Sequence, residues 1–155
     1  MIDYKNGGQV TLLDGTDVSS DIRKPQISMM ASDVSALKCV RMKMVEMQRK
    51  IAAGMDCVLD GRDIGSFVLP NAKFKFFLTA TPEIRTERRY KELVERGENV
   101  VFSDLLEEIK MRDYNDSHRD FAPLKKASDA VVIDTSHMNV EEVVNTVLSY
   151  IKESA

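Results

Sequence analysis

The stretch "KFKFFLTATPEIRTERR", residues 73–89, carries the local signals that decide the fold. Phe74–Leu78 is a short run rich in apolar and aromatic residues, which are enriched in β-strands. Thr81-Pro82 then ends the strand pattern, and a helical pattern continues to Arg96, where Gly97 favours a helix end. We therefore predict a strand that is followed directly by a helix.

Two similar apolar runs lie on either side of this unit, at Cys57–Leu59 and at Asp129–Asp134. Neither run alternates with polar residues, so both are typical of strands that helices cover on two faces. Further helices are predicted at Asp104–Tyr114, capped by Ser103, and at Val140–Lys152, capped by Asn139. The order of these elements predicts an α/β fold with a parallel sheet, flanking helices and right-handed crossovers.

The first third of the chain has a different pattern. Asp14-Gly15 is a dipeptide that favours a two-residue hairpin turn, so a small antiparallel hairpin is predicted at the start. Pro25 favours a helix start or a bend, and a long helical pattern covers Leu37–Ala53 before Gly54. One face of that helix is predicted to be buried, at Val40, Met44, Met47 and Ile51.

Composition limits the function classes. The chain has 155 residues, 43% of them hydrophobic and 30% charged, which is typical of one globular domain. A net charge of -3 argues against a protein that coats nucleic acid. The sequence has no apolar window of roughly 18 residues and no signal-peptide pattern at its start, so we expect no membrane contact and a cytoplasmic location. The spacing of its two cysteines and two histidines predicts no metal site.

Charged residues follow the predicted strand at Cys57–Leu59. Arg62 and Asp63 lie between Gly61 and Gly65, where the backbone can turn sharply. Ligands of parallel α/β sheets bind beyond the carboxyl ends of the strands, so this pair is a candidate for a functional site. The alternative is a salt bridge at the strand end that only holds a loop in place.

A second charged group, Arg112, Asp116 and Arg119, has spacings of four, three and seven residues. On a helix these residues share one face, which in many proteins is simply a solvated surface. Arginine is suited to bidentate recognition of phosphate, and a neighbouring carboxylate can orient its guanidinium group or bind ribose hydroxyls. A nucleotide site and a solvated surface both remain open on spacing alone.

Nearly the whole chain resembles bacterial cytidylate kinases. The resemblance is carried by "GTDVSSDIR", "MMASDVSALKCVR", "DGRDIGSFVLPNAKFKFFLTATPEIRTERR" and "LLEEIKMRDYNDSHRDFAPLKKASDAVVIDTS". It implies a P-loop-kinase-like parallel sheet, ATP as the phosphoryl donor, Mg²⁺, and CMP or dCMP as the acceptor. It also implies one partial domain over residues 1–155, in which 1–55 belong to the CMP-binding insert and 56–155 form the core, with a lid at about 85–119.

The resemblance also implies roles for individual residues, which we list by group. The residues that read cytosine are expected to be Ser32, Arg41 and Asp63. The pair at the sugar is Arg112 and Asp116, and the phosphate ligands are Arg62 and Arg119; the catalytic residues are Arg62, Asp63 and Arg119. The residues expected to contact ATP beneath the lid are Arg85, Arg88 and Arg89.

These roles agree with the chemistry, because phosphoryl transfer depends mostly on positioning and charge neutralisation. An acid at position 63 can accept a hydrogen bond from the amino group of cytosine, which uracil lacks. The sequence departs from the family at Asn115 and Ser117, where relatives often have arginine. We therefore expect a less basic lid and weaker binding of the donor.

One motif of the family, the phosphate loop G-x-x-x-x-G-K-[ST], is not found in these 155 residues, since none of the seven glycines is followed by lysine. We therefore expect little or no kinase activity from this chain alone, and a shortened reading frame that begins at an internal methionine as the simplest origin. An unpaired strand edge beside Cys57–Leu59 would favour a homo-oligomer or a strand swap. The alternative function is a non-catalytic nucleotide-binding or interaction module.

Overall fold

The computed structural model describes residues 2–5 and 8–153 and divides them into two compact units. The first unit ends at Met47 and the second begins at Gln48, so the division falls within a helix. The two units are described separately below. The expected boundary between residues 55 and 56 therefore stays a prediction, as does the lid at about 85–119.

The first unit begins with three antiparallel strands in the order β1-β2-β3. Their bounds are β1 Ile2–Lys5, β2 Gly8–Leu13 and β3 Thr16–Asp17. Asp14 and Gly15, between β2 and β3, have φ values of 50° and 85°. These left-handed conformations are those that a two-residue hairpin turn requires, so the predicted hairpin is confirmed.

Two α-helices follow in this unit, after a short 3₁₀ turn at Asp21–Arg23. Helix α1 is Pro25–Ala36 and helix α2 is Lys38–Ala52. Proline begins α1 because the first turn of a helix needs no backbone N–H donor there. The predicted long helix is thus confirmed within one or two residues at each end.

The predicted burial of the apolar face of α2 is wrong. Met44 is 48% exposed, Met47 is 49% exposed and Ile51 is 50% exposed, whereas Arg41 and Val45 are buried. Helical spacing shows which side of a helix is apolar, but burial also requires a neighbouring element that covers that side.

The second unit contains a two-stranded parallel sheet flanked by helices. Strands β4, Phe76–Thr79, and β5, Val131–Asp134, pair in parallel register from Phe76↔Val131 to Thr79↔Asp134. The helices are α3 Pro82–Glu95, α4 Phe102–His118 and α5 Val140–Glu153. Because α3 and α4 lie between two parallel strands along the chain, the predicted mixed α/β fold with a parallel sheet is confirmed.

The predicted strand at Cys57–Leu59 is wrong. Residues 56–60 have no regular secondary structure, and Val58 is 99% exposed. A strand forms only where a neighbouring backbone supplies hydrogen-bond partners, and within the described residues β4 and β5 pair only with each other. A short apolar run predicts the residues of a strand without showing what pairs with it.

Helix ends follow local capping signals in α3 and α5. Thr81 Oγ1 accepts a hydrogen bond from the backbone N of Ile84, and Gly97, with φ of 78°, follows the end of α3. At the start of α5, Asn139 and Glu142 each accept a hydrogen bond from the backbone N of the other, at 2.9 and 2.7 Å. This reciprocal pair is a capping box, so the predicted cap at Asn139 is confirmed.

Helix α4 is longer than its sequence pattern indicated. It begins at Phe102, so Ser103 lies inside the helix and the predicted cap at Ser103 is wrong. The other end extends to His118, past the predicted end at Tyr114. In this last turn Asp116 is buried and pairs with Arg62, a tertiary contact that local helix propensity does not include.

Part of the core of the second unit lies between α3 and α4, and Val68 and Ile133 are also buried. Leu93 and Thr86 of α3 are fully buried, and Leu105 of α4 is 8% exposed. The rings of Tyr90 and Phe102 meet edge to face with centroids 5.7 Å apart. This packing fixes α4 relative to α3. Among the residues described, no helix is both long and apolar enough to cross a membrane.

Candidate functional site

The centre of the candidate site is the carboxylate of Asp116, near the end of α4. Its side chain is 5% exposed, and Oδ2 accepts a hydrogen bond of 2.9 Å from Nε of Arg62. Two further guanidinium groups lie close to it. Nε of Arg112 is 4.0 Å from Oδ2, and Nη1 of Arg119 is 3.8 Å from Oδ1. One buried carboxylate is therefore shared among three arginines, which we call the arginine cluster.

The two charged groups that the sequence singled out thus meet in one place. Arg62 comes from the segment after Gly61, whereas the other members of the cluster come from α4 and its end. The alternative of a salt bridge that holds a loop describes part of this geometry, because Arg62 pairs with Asp116, 54 residues away. It does not explain why three arginines gather around a single acid.

A second set of contacts joins the same two segments. Phe67 packs edge-on against Phe121, which follows α4, with ring centroids 5.1 Å apart. The backbone N of Leu124 donates to the carbonyl oxygen of Asp116 at 2.7 Å. The chain after α4 therefore folds back beside the cluster, and aromatic packing supports the ion pairs.

The arginines differ in exposure. The side chain of Arg62 is 42% exposed and that of Arg112 is 49% exposed, whereas that of Arg119 is only 11% exposed. Nε of Arg119 also donates to the carbonyl of Ala122 at 2.8 Å. Within the cluster positive charge exceeds negative charge, and two guanidinium groups face solvent. Such an arrangement favours an anion that can accept several hydrogen bonds, such as a phosphate group.

Asp63 lies next to the cluster in sequence and is 6% exposed. Its carbonyl accepts hydrogen bonds from the backbone N of Phe67 and of Val68, and these bonds close a π-helical turn at Ile64–Val68. A Cβ at Gly61 would come within 2.9 Å of Cγ1 of Ile64, so a larger residue there would force the Ile64 side chain to shift. The local backbone thus buries Asp63 and exposes Arg62.

The three arginines predicted to contact ATP lie on α3 and bind protein groups in this structure. Arg85 donates to Asp113 and to the carbonyl of Ala80. Arg88 donates to Oγ1 and the carbonyl of Thr135 and to the carbonyl of Met138, in the loop after β5. Arg89 forms an ion pair with Glu92, one turn along α3, at 2.8 Å. Their contact with the donor stays a prediction.

Arg85 also shows where the cluster lies relative to the sheet. Ala80 follows the last residue of β4, and Asp113 lies one turn before Asp116 on α4. Because Arg85 contacts both, the middle of α4 lies beside the carboxyl end of β4. That is the edge at which α/β sheets bind ligands. Asp113 was missed by sequence reasoning, because nothing local indicates a partner 28 residues away.

Two predicted residues belong to the first unit. Arg41 is buried in α2, and its Nη1 lies 3.4 Å from the carbonyl oxygen of Ser35, to which it donates. Ser32 lies in α1, but its side chain is outside the described part of the structure. The cytosine-reading roles of both residues stay predictions.

The fold and the cluster together define a mixed α/β protein with a basic group of side chains at the carboxyl end of its parallel sheet. Comparison with known proteins gives the family. The family model described as cytidylate kinase matches residues 1–153, and the chain belongs to that family.

Individual relatives agree with this assignment. The chain is 52% identical over 142 residues to a cytidylate kinase of Caldicellulosiruptor saccharolyticus and 51% identical over 143 residues to one of Caldicellulosiruptor bescii. It is 48% identical over 143 residues to a cytidylate kinase of Clostridium tetani. Each match covers 92% of this chain and 63% of the relative, so the chain spans somewhat less than two thirds of the length of these proteins.

Proposed function

We propose that this chain carries the acceptor half of a cytidylate kinase site and binds CMP or dCMP as the substrate for phosphoryl transfer from ATP. The proposal is supported by family membership over residues 1–153 and by the names of the relatives. The single observation that carries it is the arginine cluster, in which Asp116 is shared among three guanidinium groups.

In this proposal the cluster binds the monophosphate. Arg62 and Arg119 donate to the phosphate oxygens, where bidentate and charge-assisted hydrogen bonds are strong. Arg112 and Asp116 lie at the sugar, and Asp116 keeps the guanidinium groups oriented before the substrate arrives. A positioned set of positive charges also stabilises the charge that develops on the transferred group.

Asp63 is proposed to accept a hydrogen bond from the exocyclic amino group of cytosine. Its burial supports this role, because a charge-assisted hydrogen bond is stronger where water is largely excluded. Uracil offers a carbonyl oxygen at the same place, which would repel the carboxylate. CMP should therefore bind more tightly than UMP, and replacing Asp63 should reduce this preference.

ATP and Mg²⁺ are implied by the family, and Mg²⁺ would supply positive charge to neutralise the donor phosphates. The described residues include no group of three or more His, Cys, Asp or Glu side chains that could hold a metal ion, and we assign no residue to it. Arg88 and Arg89 on α3 remain the proposed contacts to the donor.

The proposal is tested by titrating the chain with CMP, cytidine and UMP, followed by an assay of ADP release with ATP and Mg²⁺. We expect saturable binding of CMP, weaker binding of cytidine and of UMP, and turnover that is low for these 155 residues. Saturable binding without any turnover is also the outcome expected of a non-catalytic module.

The matched variants are Arg62→Ala in the cluster and Lys91→Ala in the exposed Lys91–Glu87 pair of α3. Only the first should weaken CMP binding. Failure of the unaltered chain to bind CMP at millimolar concentration would overturn the proposed function.

A further inference from the structure

We infer that Arg85 and Asp113 are positioning residues for the acceptor site: their ion pair holds α4 at the rotation that brings Asp116 and Arg112 to Arg62. The inference rests on the proposed function. It adds a role for Asp113, which neither the sequence pattern nor the family comparison indicates.

The pair has the geometry of a rigid connection. Nη1 and Nη2 of Arg85 donate to Oδ1 and Oδ2 of Asp113 at 2.9 and 2.6 Å, and Nε donates to the carbonyl of Ala80 at 3.0 Å. Two parallel hydrogen bonds between planar groups fix orientation as well as distance. The side chains are 35% and 29% exposed, so solvent screens the pair only in part.

The connection lies close to the cluster on the same helix. Asp113 follows Arg112 directly and precedes Asp116 by three residues, which is about 4.5 Å along a helix axis. Side chains three residues apart are neighbours on a helix surface. A rotation of α4 that separated Asp113 from Arg85 would therefore also move Asp116 and Arg112.

The contacts within the cluster are sensitive to such a movement. Arg112 and Arg119 lie 4.0 and 3.8 Å from the Asp116 carboxylate, near the limit at which an ion pair is formed. Beyond Asp116 the chain is held by the hydrogen bond from Leu124 and by Phe121 against Phe67. Arg85 supplies the support on the other side, so the part of α4 that forms the site is held at both ends.

The contacts of Arg85 favour positioning over direct contact with a ligand. Nε, Nη1 and Nη2 each donate to a protein acceptor, so three of the five N–H groups of this guanidinium are already engaged by the protein. Arg62 and Arg112 already present exposed guanidinium groups nearby. Arg85 therefore acts on the substrate through α4.

Asp113→Asn gives the sharpest test, because the two explanations predict opposite signs. If Asp113 acts only as a nearby negative charge, its removal should strengthen binding of a phosphate. If it positions α4, its removal should weaken CMP binding, by about tenfold, the scale of coupling between neighbouring side chains. Arg85→Lys keeps the positive charge but loses the two parallel hydrogen bonds to Asp113, and it should weaken CMP binding by a similar factor. Asp113→Glu should restore part of the loss.

The measurement compares CMP with cytidine, because a positioning defect in the cluster should affect the ligand that carries a phosphate more than the ligand that has only the sugar and the base. Dissociation constants from NMR titrations should rise more for CMP than for cytidine. The control is Glu87→Gln, which breaks an exposed pair on the same helix. It should leave both constants unchanged.

Three outcomes with the variants overturn the inference. Unchanged or tighter CMP binding by Asp113→Asn excludes positioning. Weaker binding of ATP by Arg85→Lys with an unchanged ratio of CMP to cytidine affinity would assign Arg85 to the donor. Equal losses for CMP and cytidine would indicate general unfolding. Absence of CMP binding by the unaltered chain would overturn the proposed function, and this inference with it.

Discussion

Helix α4 carries two carboxylates one turn apart whose environments differ. Asp113 is partly exposed and is bound by a single arginine through two short hydrogen bonds. Asp116 is buried and is shared among three arginines, of which only Arg62 lies within hydrogen-bond distance. The charge of Asp113 is balanced by that of one arginine, whereas the single charge of Asp116 is shared among three positive charges. The comparison separates a contact that fixes structure from a cluster that can still accept an anion.

The largest expected effect is that of Asp116→Asn. It would leave three guanidinium groups near one another without a carboxylate. Removing one partner of a buried ion pair is strongly destabilising, because the other charge stays without compensation. We expect the free energy of unfolding to fall by about 2–4 kcal/mol, less than for a fully buried pair because Arg62 is partly exposed. Urea denaturation measures the change. Asp120→Asn, at an exposed acid just beyond α4, is the control and should have little effect. Equal stability of the two variants would contradict the central role of Asp116.

The second effect tests the uncompensated charge. Arg62→Ala should weaken CMP binding by about 10-fold to 100-fold, the range expected when one charge-assisted hydrogen bond to phosphate is lost. Binding of cytidine should stay the same, as measured by calorimetry or NMR. Arg96→Ala, which breaks an exposed pair with Glu92 at the end of α3, is the matched arginine control. A similar loss with both variants would show that overall charge, and not the cluster, binds CMP.

A smaller effect is expected from salt. Raising the salt concentration from about 0.05 M to about 0.5 M shortens the screening length to a few ångströms and should weaken CMP binding several-fold. Arg62 and Arg112 are exposed enough for this screening to act on them. Cytidine binding should not change over the same range. If the affinity for CMP were independent of salt, the phosphate would not be held by solvent-facing charges.

The smallest effect on stability is expected at an ion pair outside the site, Lys75–Asp129. It serves as a reference for the effect of Asp116→Asn. Lys75 donates to the carboxylate of Asp129 at 2.6 Å and thereby lowers the pKa of Asp129. Because the folded-state pKa is lowered, the contribution to stability is present above the unfolded pKa and is lost as pH falls through the folded one. The parent loses this small contribution as the pH falls below about 4. The variant Asp129→Asn lacks the carboxylate and should not show that part of the loss.

Thermal unfolding of the parent and of Asp129→Asn at several pH values measures this difference in stability. At neutral pH the variant should be slightly less stable than the parent, because solvent screens the 61% exposed Asp129, although the Lys75 side chain is only 6% exposed. The two curves should converge as the medium becomes more acidic. A gap that widened on acidification would have the wrong sign for this pair.

The sequence predicted those features that depend on neighbours along the chain. The turn at Asp14-Gly15 and the caps at Gly97 and Asn139 were found because backbone conformation and side-chain capping act over a few residues. The spacing of Arg112 and Asp116 likewise predicted a shared helix face, which the structure confirms.

Apart from the cap predicted at Ser103, the features that were missed depend on partners distant in the chain. The apolar run at Cys57–Leu59 suggested a strand, but strand formation depends on a second backbone. The methionines of α2 are exposed for the corresponding reason, since nothing in a helical pattern identifies what covers it. The Arg85–Asp113 pair joins two helices across 28 residues, and no local signal distinguishes these residues from other surface charges.

Arg119 lies at the C-cap of α4, and this position reduces the repulsion among the positive charges of the arginine cluster. The carbonyl groups at the end of a helix carry a partial negative charge, which favours cations by about 0.3–1 kcal/mol. This backbone contribution needs no ionisable group and does not change with pH. Part of the repulsion among the guanidinium groups is thus relieved by the peptide chain itself, so the arginine cluster can form without a bound anion.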